Sequence, residues 1–222
     1  MYMGIMKISK LGEVSSAYDN LYSISGMKFH KGRLYCTCNT KLGNLIHGFQ
    51  NEQRLSSWSV SDGGLTWAGC RMCFIGEELA VADRANQRIT LYTTNGEEIR
   101  QVACNSITHR GKVVICRADQ QSIIISNEPS STVLKLNLKS GEIEWKSTCV
   151  PQPQAVTCDL PGYVLVASWS EVLTLSVLDS KTGKLFSIVI NRFAFLISTQ
   201  ISCRLRGNPS GAYSADYLPL RF

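Results

Sequence analysis

Internal repetition constrains this chain more than any other feature of its sequence. Four units begin at Met27, Met72, Val113 and Ala155, spaced 45, 41 and 42 residues apart. Each opens with a short apolar run, residues 27–30, 72–75, 113–116 and 155–158. A second and more continuously apolar run follows at 33–36, 79–82, 123–125 and 164–167. Unbroken apolar runs this short suit strands covered on both faces. A third run, at 89–92, 133–136 and 172–175, alternates more, and 45–49 holds its place in the first unit. Three of the units then reach a glycine: Asn95-Gly96-Glu97, Ser140-Gly141-Glu142 and Thr182-Gly183-Lys184. Glycine tolerates the positive φ of a tight hairpin, and Asn, Ser or Thr before it favours the turn. A more polar fourth run leaves each glycine turn, at 98–101, 142–145 and 185–188.

Four short strands in every 40–45 residues predict an all-β chain, a β-propeller of four-stranded blades. One such sheet cannot cover its own apolar faces, so blades stand side by side around an axis. A sandwich or barrel with evenly spaced strands is the competing fold, and recurrence of the glycine turn at similar offsets weighs against it. Blades are expected over 21–71, 72–112, 113–154 and 155–190. Residues 1–20 resemble an outer hairpin of a split blade, because the stretch 6–14 reads like 136–143, with a turn at Gly before Glu. The count is about five blade-equivalents. The stretch 191–222 either supplies closing strands or is an atypical tail on a fragment of a six-bladed ring, and the second is favoured.

The second unit carries Val81-Ala82-Asp83-Arg84-Ala85-Asn86-Gln87-Arg88-Ile89-Thr90-Leu91-Tyr92, then Gly96 and Ile99. This resembles an NHL repeat, the blade unit of propellers in tripartite-motif proteins and in some secreted or bacterial enzymes. In that pattern an Asp ends the second strand, Asn and Arg follow three and five residues on, and an aromatic and a Gly come later. Asp83, Asn86, Arg88, Tyr92 and Gly96 match it. The resemblance covers about 30 residues by motif and about 160 by period. Asn39 or Thr40, Asn127 or Glu128, and Ser168 or Trp169 stand where Asp83 does, and none repeats the Asn and Arg. The stretches 139–146 and 180–185 resemble the quinoprotein type of blade as well. The resemblance implies the C-terminal module of a tripartite-motif-like protein. RING and B-box zinc segments are absent from the chain, so no ubiquitin-ligase activity is expected of it. The residues themselves favour a structural role: Asp83 can accept backbone N–H bonds at a strand end, and Arg88 can pair with a carboxylate or carbonyl.

Chemistry-bearing residues are sparse. Nine cysteines occur, at 36, 38, 70, 73, 104, 116, 149, 158 and 203. The number is odd and most lie in apolar runs, which favours a reducing, cytoplasmic setting over a disulfide framework. Cys36-x-Cys38 and Cys70-x-x-Cys73 offer four thiols, but core packing is preferred to a zinc site. The three histidines, His30, His47 and His109, are not spaced as a metal pair. No phosphate loop, dinucleotide motif or nucleophile elbow is present. No catalytic residue, cofactor, metal or small-molecule substrate is therefore expected, and no apolar stretch is long enough to span a membrane.

The net charge is +6, and 191–222 holds Arg192, Arg204, Arg206 and Arg221 against Asp216 alone. Lys31, Arg33, Arg71, Arg84, Arg110 and Lys112 are candidate binding residues near loops, together with Lys41 and the aromatics Trp58, Trp67 and Trp169. The expected function is non-catalytic protein binding through loop faces. The alternatives are RNA binding by a basic face with aromatics, and a metal-dependent propeller hydrolase or lyase.

Overall fold

The structure is a computed structural model that describes residues 3–8, 14–21, 24–40, 43–51, 53–60, 71–108, 111–158, 162–169 and 173–191. An N-terminal hairpin pairs β1 (Met3–Ile8) with β2 (Val14–Leu21). Four sheets follow, each of four antiparallel strands in chain order. The first holds β3 (Ile24–His30), β4 (Arg33–Thr40), β5 (Gly43–Gln50) and β6 (Gln53–Val60). The second holds β7 (Met72–Ile75), β8 (Glu78–Asp83), β9 (Arg88–Tyr92) and β10 (Glu98–Ala103). The third is β11 (Val113–Arg117), β12 (Ser122–Asn127), β13 (Thr132–Asn137) and β14 (Ile143–Ser147). The fourth is β15 (Pro153–Thr157), β16 (Tyr163–Trp169), β17 (Leu173–Asp179) and β18 (Leu185–Asn191). Among the described residues no helix is long and apolar enough to cross a membrane.

The sheets stand face to face, with β3 beside β7, β7 beside β11, and β11 and β12 beside β15. The second strand of each unit explains why. Side chains alternate across a strand, so a strand packed on both sides must be apolar throughout. On β8, Ala80 and Ala82 pack with the third sheet, while Leu79 and Val81 pack with Tyr35 and Ile46 of the first. On β12, Ile123 and Ile125 meet the second sheet, and Ile124 meets Val164 and Val166 of the fourth. Full burial of one such isoleucine contributes about 2 kcal/mol. These layers between sheets are the core.

The turns that join third to fourth strands repeat a common geometry. The residue that ends or follows the third strand caps each one. Thr93 Oγ1 accepts from the N–H groups of Asn95 and Glu97, and Asn137 Oδ1 from those of Lys139 and Ser140. Asp179 Oδ1 takes the N–H groups of Lys181 and Thr182. This cap falls earlier than the residue before glycine, where the sequence suggests one, and Ser140 Oγ and Thr182 Oγ1 add a second there by accepting from the N–H groups of Glu142 and Lys184. Glycine is required for two reasons. Gly96 and Gly183 have φ of +94° and +67°, and a Cβ there would lie 2.5 Å from the Trp58 ring and 2.4 Å from the Trp145 ring. Each ring belongs to the fourth strand of the preceding sheet, so the turn seats one sheet on the last. The first sheet lacks a glycine at this corner; Asn51, at φ +49°, turns the chain between Gln50 and Gln53 instead.

Candidate functional site

Strand parity gives the assembly two rims. The first and third hairpin turns of each sheet lie on one, the hairpin rim. The loops after the second strands, and the crossovers into the next sheet, lie on the other, the crossover rim. Here the second and third sheets use the same four-residue loop. Asp83 pairs with Arg88 and Asn127 with Thr132. Gln87 and Ser131, each the last residue of its loop, have positive φ of 50° and 46°.

In the first of these loops the Asp83 carboxylate is buried and gathers three donors. Oδ1 accepts from the Asn86 N–H at 3.2 Å, and Oδ2 from Asn86 Nδ2 at 2.8 Å and Arg88 Nε at 2.9 Å. A carboxylate removed from water needs such partners, and charge-assisted bonds supply them. Arg88 also donates through Nη1 to Gln101 Oε1 on β10. Tyr92 packs in the layer beside Trp58, where burial raises its phenol above the ordinary range, and Gly96 lies under the same ring. Asp83, Asn86 and Arg88 therefore close the β8–β9 loop, while Tyr92 and Gly96 belong to the joint with the first sheet.

The crossover rim is tied together across sheet boundaries. Arg84 Nη1 donates to the Gly111 carbonyl, and Gln87 Nε2 to the Ile107 carbonyl at 2.9 Å. Asn127 Nδ2 bonds the Ser106 carbonyl, and its Oδ1 accepts from Thr108 Oγ1 at 2.8 Å. Glu128 receives the Lys112 N–H at 3.0 Å and Gln154 Nε2 at 2.6 Å. Three consecutive sheets are thus held by their loops as well as by their cores. At the outer surface of this rim stand Ala85, Asn86, Pro129, Ser130 and Trp169, the last 44% exposed at the end of β16.

The six basic candidates do not share one surface. Lys31 lies exposed on the hairpin rim, paired with Glu77, and half-buried Arg33 follows it, with Nε on Gln50 Oε1 at 3.3 Å. Arg71, Arg84 and Lys112 lie at the crossover rim, and Arg110 is outside the described residues. Arg71 precedes a first strand and Arg84 follows a second, so parity puts both opposite Lys31. Nor are these two displayed. Arg84 is 1% exposed and Arg71 6%. Burial, then the Arg84 charge, brings the Arg71 guanidinium down to about 10, and burial lowers Arg84 as well. Burial also lowers the Lys112 ammonium, with Glu128 acting in the opposite direction. The sequence shows these residues at loops, but not how far the rim buries them.

The cysteine pairs separate as well. Cys36 and Cys38 share a face of β4 and pack with Phe49 of β5, while Cys73 lies in the layer between the second and third sheets; Cys70 is outside the described residues. Burial pushes Cys36 up to about 12 and Cys38 to about 11. No cluster of three metal-ligating side chains occurs among the described residues. His30 stacks on Phe74 at 4.0 Å, and His47, its pKa lowered by burial and then by Arg54, meets the edge of Phe49. His109, Trp67, Lys41 and the basic stretch beyond 191 lie outside the described residues.

No family model and no curated protein matches the chain. Solved structures do. A Bacteroides caccae protein of unknown function superposes with a TM-score of 0.66 at 14% identity, over 86% of this chain and 76% of that one. A chain of the Mitotic Checkpoint Complex gives 0.61 at 14% identity, over 82% and 56%. The Neurospora crassa Pan2 WD40 domain gives 0.56 at 14% identity, over 76% and 50%. The described residues form a partial β-propeller. Its sheets are blades, and the chain spans about half the length of the WD40 domain and of the checkpoint-complex chain.

Proposed function

We propose that the chain is a non-catalytic interaction module that binds a protein partner on its crossover rim. One observation carries this reading: the loops of the second and third blades and the first strand of the fourth are cross-linked by side chains, through Arg84 to Gly111, Asn127 to Ser106 and Gln154 to Glu128. A surface ordered before binding loses little entropy on association. Above it, exposed Trp169 and Pro129 offer the rigid apolar contacts that anchor protein interfaces. One of the structural neighbours belongs to a complex, the Mitotic Checkpoint Complex, which supports a protein partner. The Asp83–Asn86–Arg88 closure supports kinship with NHL-type blades. Free thiols at Cys36 and Cys38 support a reducing, cytoplasmic setting.

Comparing variants of the two rims tests the reading. The chain, its Trp169→Ala variant and its Lys31→Glu variant are used to capture partners, which are quantified by mass spectrometry. A protein retained by Lys31→Glu and reduced about tenfold or more by Trp169→Ala supports the crossover rim. If both variants retain the same proteins, the assignment is wrong. Capture of RNA that is lost steeply with salt would replace it with the nucleic-acid reading.

A further inference from the structure

Cys116 lies on β11, the first strand of the third blade, and Cys158 directly follows β15, the first strand of the fourth. The two occupy the same place in their repeats. Their Sγ atoms are 3.4 Å apart. A disulfide holds its sulfurs about 2.05 Å apart, so a closure of roughly 1.4 Å would bond them. β11 and β15 lie side by side but belong to different sheets, and no hydrogen-bond ladder joins them. Cys116 is buried and Cys158 half-buried, so one thiol is reachable from solvent and the other waits behind it. We propose that Cys116 and Cys158 form a reversible disulfide that staples the third and fourth blades along their first strands.

The oxidant is a low-molecular-weight disulfide such as oxidised glutathione. The Cys158 thiolate attacks one of its sulfurs, forming a mixed disulfide and expelling a thiolate that takes up a proton. Cys116, after passing its proton to solvent, attacks Cys158 Sγ and expels the second thiolate. Two protein thiols lose two electrons, and the small disulfide becomes two thiols. The hydrogen bond with Cys158 and burial hold the Cys116 thiol well above its ordinary range, while Lys28 on β3 favours its thiolate. Cys116 therefore resolves the mixed disulfide and does not initiate the exchange.

Cys149 is exposed and would react with the same oxidant. It also shares the tryptic peptide 147–181 with Cys158, whereas Cys116 lies alone in 113–117. The test therefore uses the full chain carrying Cys149→Ser. Folded protein is treated with oxidised glutathione, its remaining thiols are alkylated, and the digest is analysed by mass spectrometry. The expected result is a linked 113–117/147–181 pair two hydrogens lighter than its parts, lost on reduction. The link closes a sequence separation of 42 residues, so a rise in Tm of about 10 °C should accompany it. Cys158→Ser should abolish both the link and the shift. If the folded protein instead shows Cys116 and Cys158 separately alkylated, or each bearing glutathione, the proposal fails. It fails equally if the link forms only in urea.

Discussion

The third and fourth blades have similar sequences and very different surroundings. In the third, every residue of the second strand, Ser122–Asn127, is buried, and the third strand exposes almost nothing apolar. In the fourth, β17 is mostly half-buried, and β18 leaves Phe186 70% and Ile188 49% exposed beside Leu185. The difference is one of neighbours. The third blade is packed by described blades on both sides, so both of its faces are dry. Apolar character in a propeller strand is therefore an obligation to a neighbour, and its stabilising effect appears only where that neighbour stands.

The largest expected effect sets the two blades directly against each other. Ile124→Ala, between β12 and the fourth blade, should cost about 4 kcal/mol in urea unfolding, while Ile188→Ala on β18 should cost under about 0.5 kcal/mol. Equal losses would end the comparison. Next comes the joint between the same blades. Gly183→Ala must accept both a positive φ and a Cβ pressed into Trp145, and should lose about 3 kcal/mol. Gly162→Ala has a similar φ with open space around it, and should lose about 1 kcal/mol. A Gly162→Ala loss as large as that of Gly183→Ala would show that φ alone matters and that the seat does not. A finer cut is Trp145→Phe, which keeps an aromatic ring but removes the bond from Nε1–H to the Ser180 carbonyl, 3.0 Å long. About 1 kcal/mol should be lost on thermal unfolding.

The smallest effect depends on pH and centres on a lysine of the third blade. Lys135 Nζ sits 2.9 Å from Asp119 and 2.8 Å from Glu144. Burial by itself would raise both carboxyl pKa values. For Asp119, the Gln121 N–H and Lys135 outweigh it; for Glu144, Lys135 and the Ser122 hydroxyl do, and both fall below their ordinary values. Depressed carboxyl pKa values stabilise the fold above the unfolded values near 4, and that stability is lost as pH falls through the lower folded ones. The urea midpoint should therefore drop below about pH 4. Lys135→Met should flatten that part of the profile; an unchanged slope would assign the acid sensitivity elsewhere.

Much of this architecture can be read from the sequence, because each level repeats the same physical demand. Strands such as 79–82 and 123–125 are apolar throughout because both faces are covered, and Gly96, Gly141 and Gly183 mark the same corner. Other features escape because they depend on what lies next door. The β6 strand, Gln53–Val60, is polar apart from Leu55, Trp58 and Val60, and it follows an Asn turn, so no periodic signal announces it. The basic residues are visible as loop residues, but their division between rims follows from strand parity, and Arg84 is held against the crossover into the third sheet through Gly111. Cys116 and Cys158 are 42 residues apart and share a repeat position, yet only the packing of β11 against β15 brings their sulfurs together.

The seating of each glycine turn on the blade before it carries a further consequence. Gly96 meets Trp58, Gly141 meets Val102 and Gly183 meets Trp145, always from later unit to earlier. The coupling is head to tail, with the second, third and fourth units each bringing a plug to the socket of the unit before. A duplicated unit would arrive with both halves of the connection, and excision of a whole one would leave a plug facing a socket of the same kind. Evolution or engineering can therefore change the number of units in such a protein while keeping this kind of seat between neighbours.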